Sequence, residues 1–303
     1  MTEPTKTDIR GIYSLMRAYA LNAGEILMQF RGKVYDEGKS GPEIIQDEYR
    51  SMATAKTVVD EMIQELFLAE LWNGRHNVRI NVEEKTPLKH LFRNNTGEIV
   101  VHQDPCDGTE GYVKLKDDFA TGYGISDCSG FTHTVIVRPA ANRLYFASPD
   151  EFGVVNTING SKDNNRGQNH RVLFEKRLFS EEGRRVATEQ GFEVRGMTSA
   201  HCHIPDVALG HAGAFLYGKS SPHDSLIPYA FARKCGATLC DALGAPIDTS
   251  KAIVHEKDGL PVFERLPSAC YFSPSNPHID AVLRILGDRR NLHLEYLKEV
   301  DSK

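Results

Sequence analysis

Asp104-Pro105-Cys106-Asp107-Gly108-Thr109 comes two residues after the apolar run Ile99-Val100-Val101, and its reading decides the rest of the chain. A strand-like segment delivers two carboxylates, a fixed φ, a flexible glycine and a hydroxyl within six positions. Pro105 locks its own backbone and pushes Asp104 towards extended geometry, Gly108 permits a tight turn, and Thr109 can open a helix. Two aspartates three apart and facing the same way repel each other unless a cation lies between them. Hard oxygen ligands favour Mg²⁺, Mn²⁺ or Ca²⁺. The amides of Gly108 and Thr109, at a helix start, would face a bound anion. The same residue types also make an ordinary polar turn, so the segment alone leaves both readings open.

Carboxylates recur at the ends of other predicted elements. Glu83-Glu84 follow the alternating run Val78 to Val82, Asp60 leads into the apolar-periodic stretch Met62 to Leu68, and Asp224 opens a helical stretch closed by Gly236. Asp60 and Asp224 could be helix caps, and Glu84 reads as a solvated side chain.

The totals are those of an ordinary globular protein: 303 residues, 40% hydrophobic and 25% charged. With 36 basic and 41 acidic residues the net charge is −5, which argues against nucleic acid or an anionic membrane as partner. No run of about 18 apolar residues exists and the N-terminus lacks a signal-peptide core, so a cytoplasmic location is expected. The six cysteines show no CxxC or Cys/His spacing, which suggests neither a disulfide framework nor a zinc site. His201, His203, His211 and His223 are too irregularly spaced for a standard ligand motif. No GxGxxG or GxxxxGK loop is present, which removes the dinucleotide-fold and P-loop readings.

Helical periodicity covers Ile9–Phe30 and about Ala53–Leu71. Candidate strands follow at Val78–Val82, Glu98–Gln103, Phe119–Ile125, Phe131–Arg138, Arg143–Ser148 and Gly153–Ile158. They predict a large, mainly antiparallel sheet backed by two N-terminal helices, forming a half over residues 1–159. The polar stretch Gly160–His170 reads as a link to a second α/β half over 171–303, with a closing helix near Asp280–Leu286. Sequence alone supports an α+β protein of two or more layers.

Taken together, these motifs resemble the inositol monophosphatase superfamily of Mg²⁺-dependent, Li⁺-sensitive phosphatases. The central signature is Asp104 to Thr109 followed by the aromatic Tyr112. Asp60 in Thr57-Val58-Val59-Asp60 and the pair Glu83-Glu84 come in family order, as does Asp224 with the run Gly236 to Ile247. The resemblance implies a layered αβαβα sandwich, a site at the junction of the halves and a homodimer. It implies that Glu83, Asp104 and the Cys106 carbonyl hold a first Mg²⁺, and that Asp104, Asp107 and Asp224 hold a second. Mn²⁺ is the alternative ion. Asp60 is implied as the partner of Thr109 and a ligand of a loosely held third ion, while Glu83 and Thr109 orient the attacking water. The substrate phosphate would rest on Gly108 and Thr109.

The substrate side departs from the family pattern. The wall segment appears as Thr198-Ser199-Ala200-His201, so Ser199, Ala200 and His201 are expected to line the pocket. Tyr217 lies near the place where inositol-specific relatives carry a carboxylate. The run Thr109-Glu110-Gly111-Tyr112-Val113-Lys114, with Asp118-Phe119 beyond, is similar to the bisphosphate nucleotidase branch. The expected substrate is therefore a small soluble phosphate monoester, with 3'-phosphoadenosine 5'-phosphate or a related nucleoside phosphate ahead of inositol, sugar and polyol phosphates. A specialised biosynthetic intermediate suits the altered wall equally well. A non-catalytic relative that binds metal and phosphate is the reading from a different class, and the complete ligand set with Thr109 argues against it.

Overall fold

The computed structural model describes residues 8–37, 56–163, 167, 172–175, 179–195, 199–217, 221–241, 245–247, 253–257, 260–263, 269–272, 279–288 and 291. Helix α1 (Ile9–Phe30) starts where the Asp8 carboxylate accepts the Gly11 N–H at 3.0 Å. Helix α2 (Val58–Asn73) starts at the cap Thr57, whose hydroxyl accepts the Val59 N–H, and the expected start near Ala53 lies outside the described residues.

Strands β1 (Arg79–Val82), β2 (Val100–Asp107), β3 (Ala120–Asp127), β4 (Gly130–Arg138), β5 (Arg143–Ala147) and β6 (Phe152–Asn156) form one sheet in chain order. Only the β1–β2 pair is parallel; the others are antiparallel. A second sheet takes β7 (Val172–Glu175), β8 (Glu193–Arg195), β9 (Ala214–Tyr217), β10 (Thr238–Asp241) and β13 (Ala269–Phe272) in the order β10-β13-β9-β7-β8. The hairpin of β11 (Ile253–Lys257) and β12 (Leu260–Phe263) lies beside β1, at an edge of the first sheet.

Side-chain alternation converts these sheets into layers. Along β3 to β5, Tyr123, Ile125, Val135, Val137, Leu144 and Phe146 point one way and pack with Ile12, Met16, Ala20, Phe67 and Leu71 of the first two helices. Ala120, Ile136, Tyr145 and Ala147 point the other way, into a core shared with helices α5 (Ala200–Ala208) and α6 (Pro222–Lys234). Phe215 of β9 closes that middle core from below, while its neighbours Ala214 and Leu216 face α4 (Glu181–Glu189) and α7 (Ile279–Gly287). The sequence is therefore helix, sheet, helix, sheet, helix, an αβαβα sandwich. Each fully buried Leu, Ile or Phe in these interfaces contributes about 1.5–3 kcal/mol. No helix among the described residues is long and apolar enough to cross a membrane.

The first sheet and the helix layer on its inner face are joined by charge as well as by apolar packing. Arg138, at the end of β4, donates to Asp206 of α5 at 3.0 Å and lies 3.7 Å from Asp118, which in turn meets His203 Nε2 at 2.8 Å. Burial pushes Asp206 up, but the His211 hydrogen bond and the Arg138 guanidinium outweigh it and hold the carboxyl below its usual range. Removing one partner of this largely enclosed pair, at 18% and 20% side-chain exposure, leaves an uncompensated charge. Arg138→Met should destabilise the fold by about 3 kcal/mol in urea unfolding. The exposed helical pairs of Arg185 with Glu182 and Glu189 provide the comparison, and Arg185→Met should leave the unfolding midpoint where it was.

Candidate active site

The decisive segment is a strand with a bulge and not a turn. β2 continues through Asp107, with Asp104 opposite Gly122 and Asp107 opposite Ala120, so β2 carries one more residue than β3 between those two pairs. Residues three apart on a regular strand would face opposite sides. The extra residue returns Asp107 to the side of Asp104 and lets Pro105 sit where no ladder donor is needed. Gly108 then turns the chain at φ 88°, a conformation that favours glycine, and Thr109 begins the short helix α3 (Thr109–Val113).

Both aspartates are almost wholly buried, at 1% and 6% exposure. Burial, then repulsion from Glu83, Asp107 and Asp224, pushes the Asp104 carboxyl well above its usual range, and Glu83 shares a hydrogen bond with it. Asp107 is pushed up as well, first by burial and then by Asp224. These effects bring Glu83, Asp104, Asp107 and Asp224 into one electrostatic cluster. Among the described residues, no three His, Cys, Asp or Glu side chains converge as a ready-made metal cage. Asp104 Oδ1 accepts the Cys106 N–H at 3.1 Å, Asp107 Oδ2 accepts from the Ser199 hydroxyl at 2.7 Å and the His201 N–H at 2.6 Å, and Asp224 Oδ2 accepts the Ser221 N–H at 3.1 Å. Each of these aspartates spends one oxygen on the protein. Hard oxygens, buried and mutually repelling, suit a divalent cation of the Mg²⁺ type.

Asp60 serves its own helix start and also reaches Thr109. Oδ2 closes the cap by accepting the Thr57 N–H at 2.9 Å and the Thr57 hydroxyl at 2.6 Å, while Oδ1 accepts the Thr109 hydroxyl at 3.0 Å. Thr109 Oγ1 also lies 2.8 Å from the Cys106 carbonyl. Burial raises the Asp60 carboxyl to about 7, against the opposing Thr57 hydrogen bond. Asp224 has the same double character: it is three residues past the cap of α6, and its Oδ1 is 3.2 Å from His223 Nε2. The Cys106 thiol is buried and pushed well above its usual value by that burial, so it is no nucleophile.

Two expectations are corrected here. Glu84 is 4% exposed, not solvated: α2 packs over it and Lys56 Nζ lies 4.0 Å away. The imidazole of His201 does not line an open pocket. The ring is fully buried, its Nε2 lies 2.9 Å from the His223 carbonyl, and a Cβ on Gly122 would collide with it. Burial lowers its pKa to about 4, so the ring is neutral. Ser199 and Ala200 are equally enclosed. Tyr217 ends β9, and its side chain lies outside the described residues, as does most of the 160–170 stretch. Sequence reading passed over Gly122. A glycine opposite Asp104 in a central strand was the available signal.

Raised carboxyl values mean that protons compete with any cation. For Asp60, Asp104 and Asp107 the folded state holds protons more tightly than the unfolded chain. Metal-free stability should therefore fall as pH rises from the usual carboxylate range through about 7. Mg²⁺ should raise Tm more at pH 8 than at pH 5.5 (roughly 2.7 kcal/mol of added stability at a hundred times Kd). Differential scanning fluorimetry at the two pH values checks this.

The inositol monophosphatase family profile matches residues 10–265. Among solved structures, the fold is similar to a Thermotoga maritima IMPase (TM-score 0.66, 17% identity, 96% of this chain and 99% of that one). It is similar to an IMPase/NADP phosphatase complexed with NADP and Ca²⁺ (0.70, 17%, 95% and 100%). A Staphylococcal inositol monophosphatase-1 soaked in LiCl as an inhibitory complex matches equally well (0.70, 18%, 95% and 98%). With the bulged Asp104–Asp107 strand and the Thr109–Asp60 pair at its centre, the chain belongs to the inositol monophosphatase family and is a metal-dependent phosphatase, a phosphoric monoester hydrolase.

Proposed function

We propose that this phosphatase hydrolyses a small soluble phosphate monoester with Mg²⁺, by in-line attack of water at phosphorus. The observation that carries the reading is the cluster of buried Asp104 and Asp107 with partly buried Glu83 and Asp224, beside the Asp60–Thr109 pair. Glu83, Asp104 and the Cys106 carbonyl would hold one ion; Asp104, Asp107 and Asp224 a second; Mn²⁺ is the substitute. When bound, such ions would supply charge that acidifies the attacking water and stabilises the leaving oxygen.

The chain's own groups do the rest. Thr109 donates its proton towards Asp60, which leaves an oxygen lone pair free to accept from the attacking water. Glu83 fixes the second hydrogen of that water. Gly108 and Thr109 offer amides to the phosphate. Asp60, with its carboxyl pushed to about 7, can take up a proton through Thr109 near neutral pH. A module that only bound phosphate would have no use for this Asp60–Thr109 relay.

For the substrate we favour a nucleotide-like phosphate such as 3'-phosphoadenosine 5'-phosphate. The support is the Thr109 to Lys114 run with Asp118-Phe119. In the fold these residues are drawn together: Tyr112 packs edge-on against Phe119 at 5.0 Å and donates to the Leu27 carbonyl. The fold accommodates either chemistry, since one similar structure is an IMPase/NADP phosphatase complexed with NADP and another is bound with D-inositol-1-phosphate. An inositol, sugar or polyol phosphate is therefore the second reading. A cytoplasmic homodimer is the assembly we expect.

Phosphate release from nucleotide, inositol and sugar phosphates, with Mg²⁺ and with or without Li⁺, tests the reading. Mg²⁺-dependent release, strongest with the nucleoside phosphate and inhibited by millimolar Li⁺, is expected. Asp107→Asn should lower kcat more than about a hundredfold while leaving the fold intact, because it removes a ligand itself and not merely a ligand's support. Unchanged turnover in that variant would contradict the two-metal assignment.

A further inference from the structure

Gln64 lies one helical turn after Asp60 on α2 and has no solvent-accessible surface. Its amide treats the backbone of Glu84 as a neighbouring strand would. Nε2 donates to the Glu84 carbonyl at 2.8 Å, and Oε1 accepts the Glu84 N–H at 2.8 Å. The other Nε2 hydrogen goes to the Thr86 hydroxyl, also at 2.8 Å. The next residue, Glu65, accepts the Leu88 N–H at 3.0 Å, so consecutive side chains of α2 hold the segment from 84 to 88.

This clasp sits where the sheet gives out. β1 pairs with β2 as far as Val82 opposite Gln103, and Glu83 and Glu84 lie beyond the ladder. Buried backbone groups there need partners from elsewhere. Lys89 supplies one, donating to the Val82 carbonyl at 2.9 Å. Gln64 supplies both for Glu84, and thereby fixes the peptide that follows Glu83. The chemistry requires an amide: a carboxylate at this position could accept but not donate, and a thioether could do neither.

We propose that Gln64 is a positioning residue for the metal centre. By locking the backbone at Glu84, it holds Glu83 against Asp104, so cation affinity depends on a side chain whose hydrogen bonds are all directed at protein. This rests on the reading of Glu83 as a ligand. Groups that orient ligands from behind typically change metal affinity by about ten- to a hundredfold when removed. The rest of the cluster, Asp104, Asp107 and Asp224, is held by other segments and should be unaffected.

The test is calorimetric titration of metal-free protein with Mn²⁺, alongside the Mg²⁺ dependence of turnover and the substrate KM at saturating Mg²⁺. Gln64→Met should bind Mn²⁺ about tenfold or more weakly and need correspondingly more Mg²⁺, with KM unchanged. Phe67→Leu, a core change on the same helix that faces Tyr123, controls for loss of stability; it should lower Tm without changing Mn²⁺ affinity. If Gln64→Met fails to fold, Gln64→Glu, which keeps one acceptor, replaces it with the same expectation. Wild-type affinity in the Gln64 variant, or an equal loss in Phe67→Leu, would overturn the positioning role alone. A wild type that binds no Mn²⁺ would overturn the metal reading and this inference with it.

Discussion

Repulsion between buried carboxylates is the constraint around which this molecule is arranged. Asp104 and Asp107 sit at the end of a strand with every residue buried, and Glu83 and Asp224 are delivered to them from other elements. Removing a carboxylate from water is expensive, and setting several together compounds the penalty. The protein answers with hydrogen bonds on one oxygen of each aspartate, from the Cys106 amide, the Ser199 hydroxyl, the His201 amide and the Ser221 amide. The remaining charge is what a divalent cation would neutralise, so the strain in the metal-free protein and its affinity for metal have the same origin.

The same constraint ties together the layers of the sandwich. Asp107 belongs to the first sheet, whereas its two donors cap the start of α5, the helix that packs on that sheet's inner face. Further along α5, Asp206 pairs with Arg138 and His203 with Asp118. One helix is thus fixed to the sheet at the carboxylate cluster by an aspartate and away from it by an arginine.

Much of the fold was legible because period and alternation are local. Ile9–Phe30 and all six strands of the first sheet follow from side-chain patterning, and the αβαβα order follows from the family resemblance of the Asp104 to Thr109 run. Of the residues that the resemblance singles out, Asp60 accepts the Thr109 hydroxyl, and Asp107 lies near enough to Asp104 to repel it. What escaped was partner choice between distant segments. Glu84 reads as a surface residue until α2 is laid over it, and His201 reads as a pocket wall until Gly122 is seen to make room for its ring. The bulge at Pro105 was read as a turn because proline and glycine signal both; only pairing with β3 distinguishes them. Gln64 offered a polar residue on the buried face of a helix, but its target lies 20 positions away.

The central claim is that this carboxylate cluster is a divalent-cation site. Anomalous diffraction from crystals soaked in Mn²⁺ tests it most directly. The account predicts manganese peaks flanking Asp104, one bounded by Glu83 and the Cys106 carbonyl and one by Asp107 and Asp224. A protein that takes up no manganese between these residues, or takes it up only elsewhere, would contradict it.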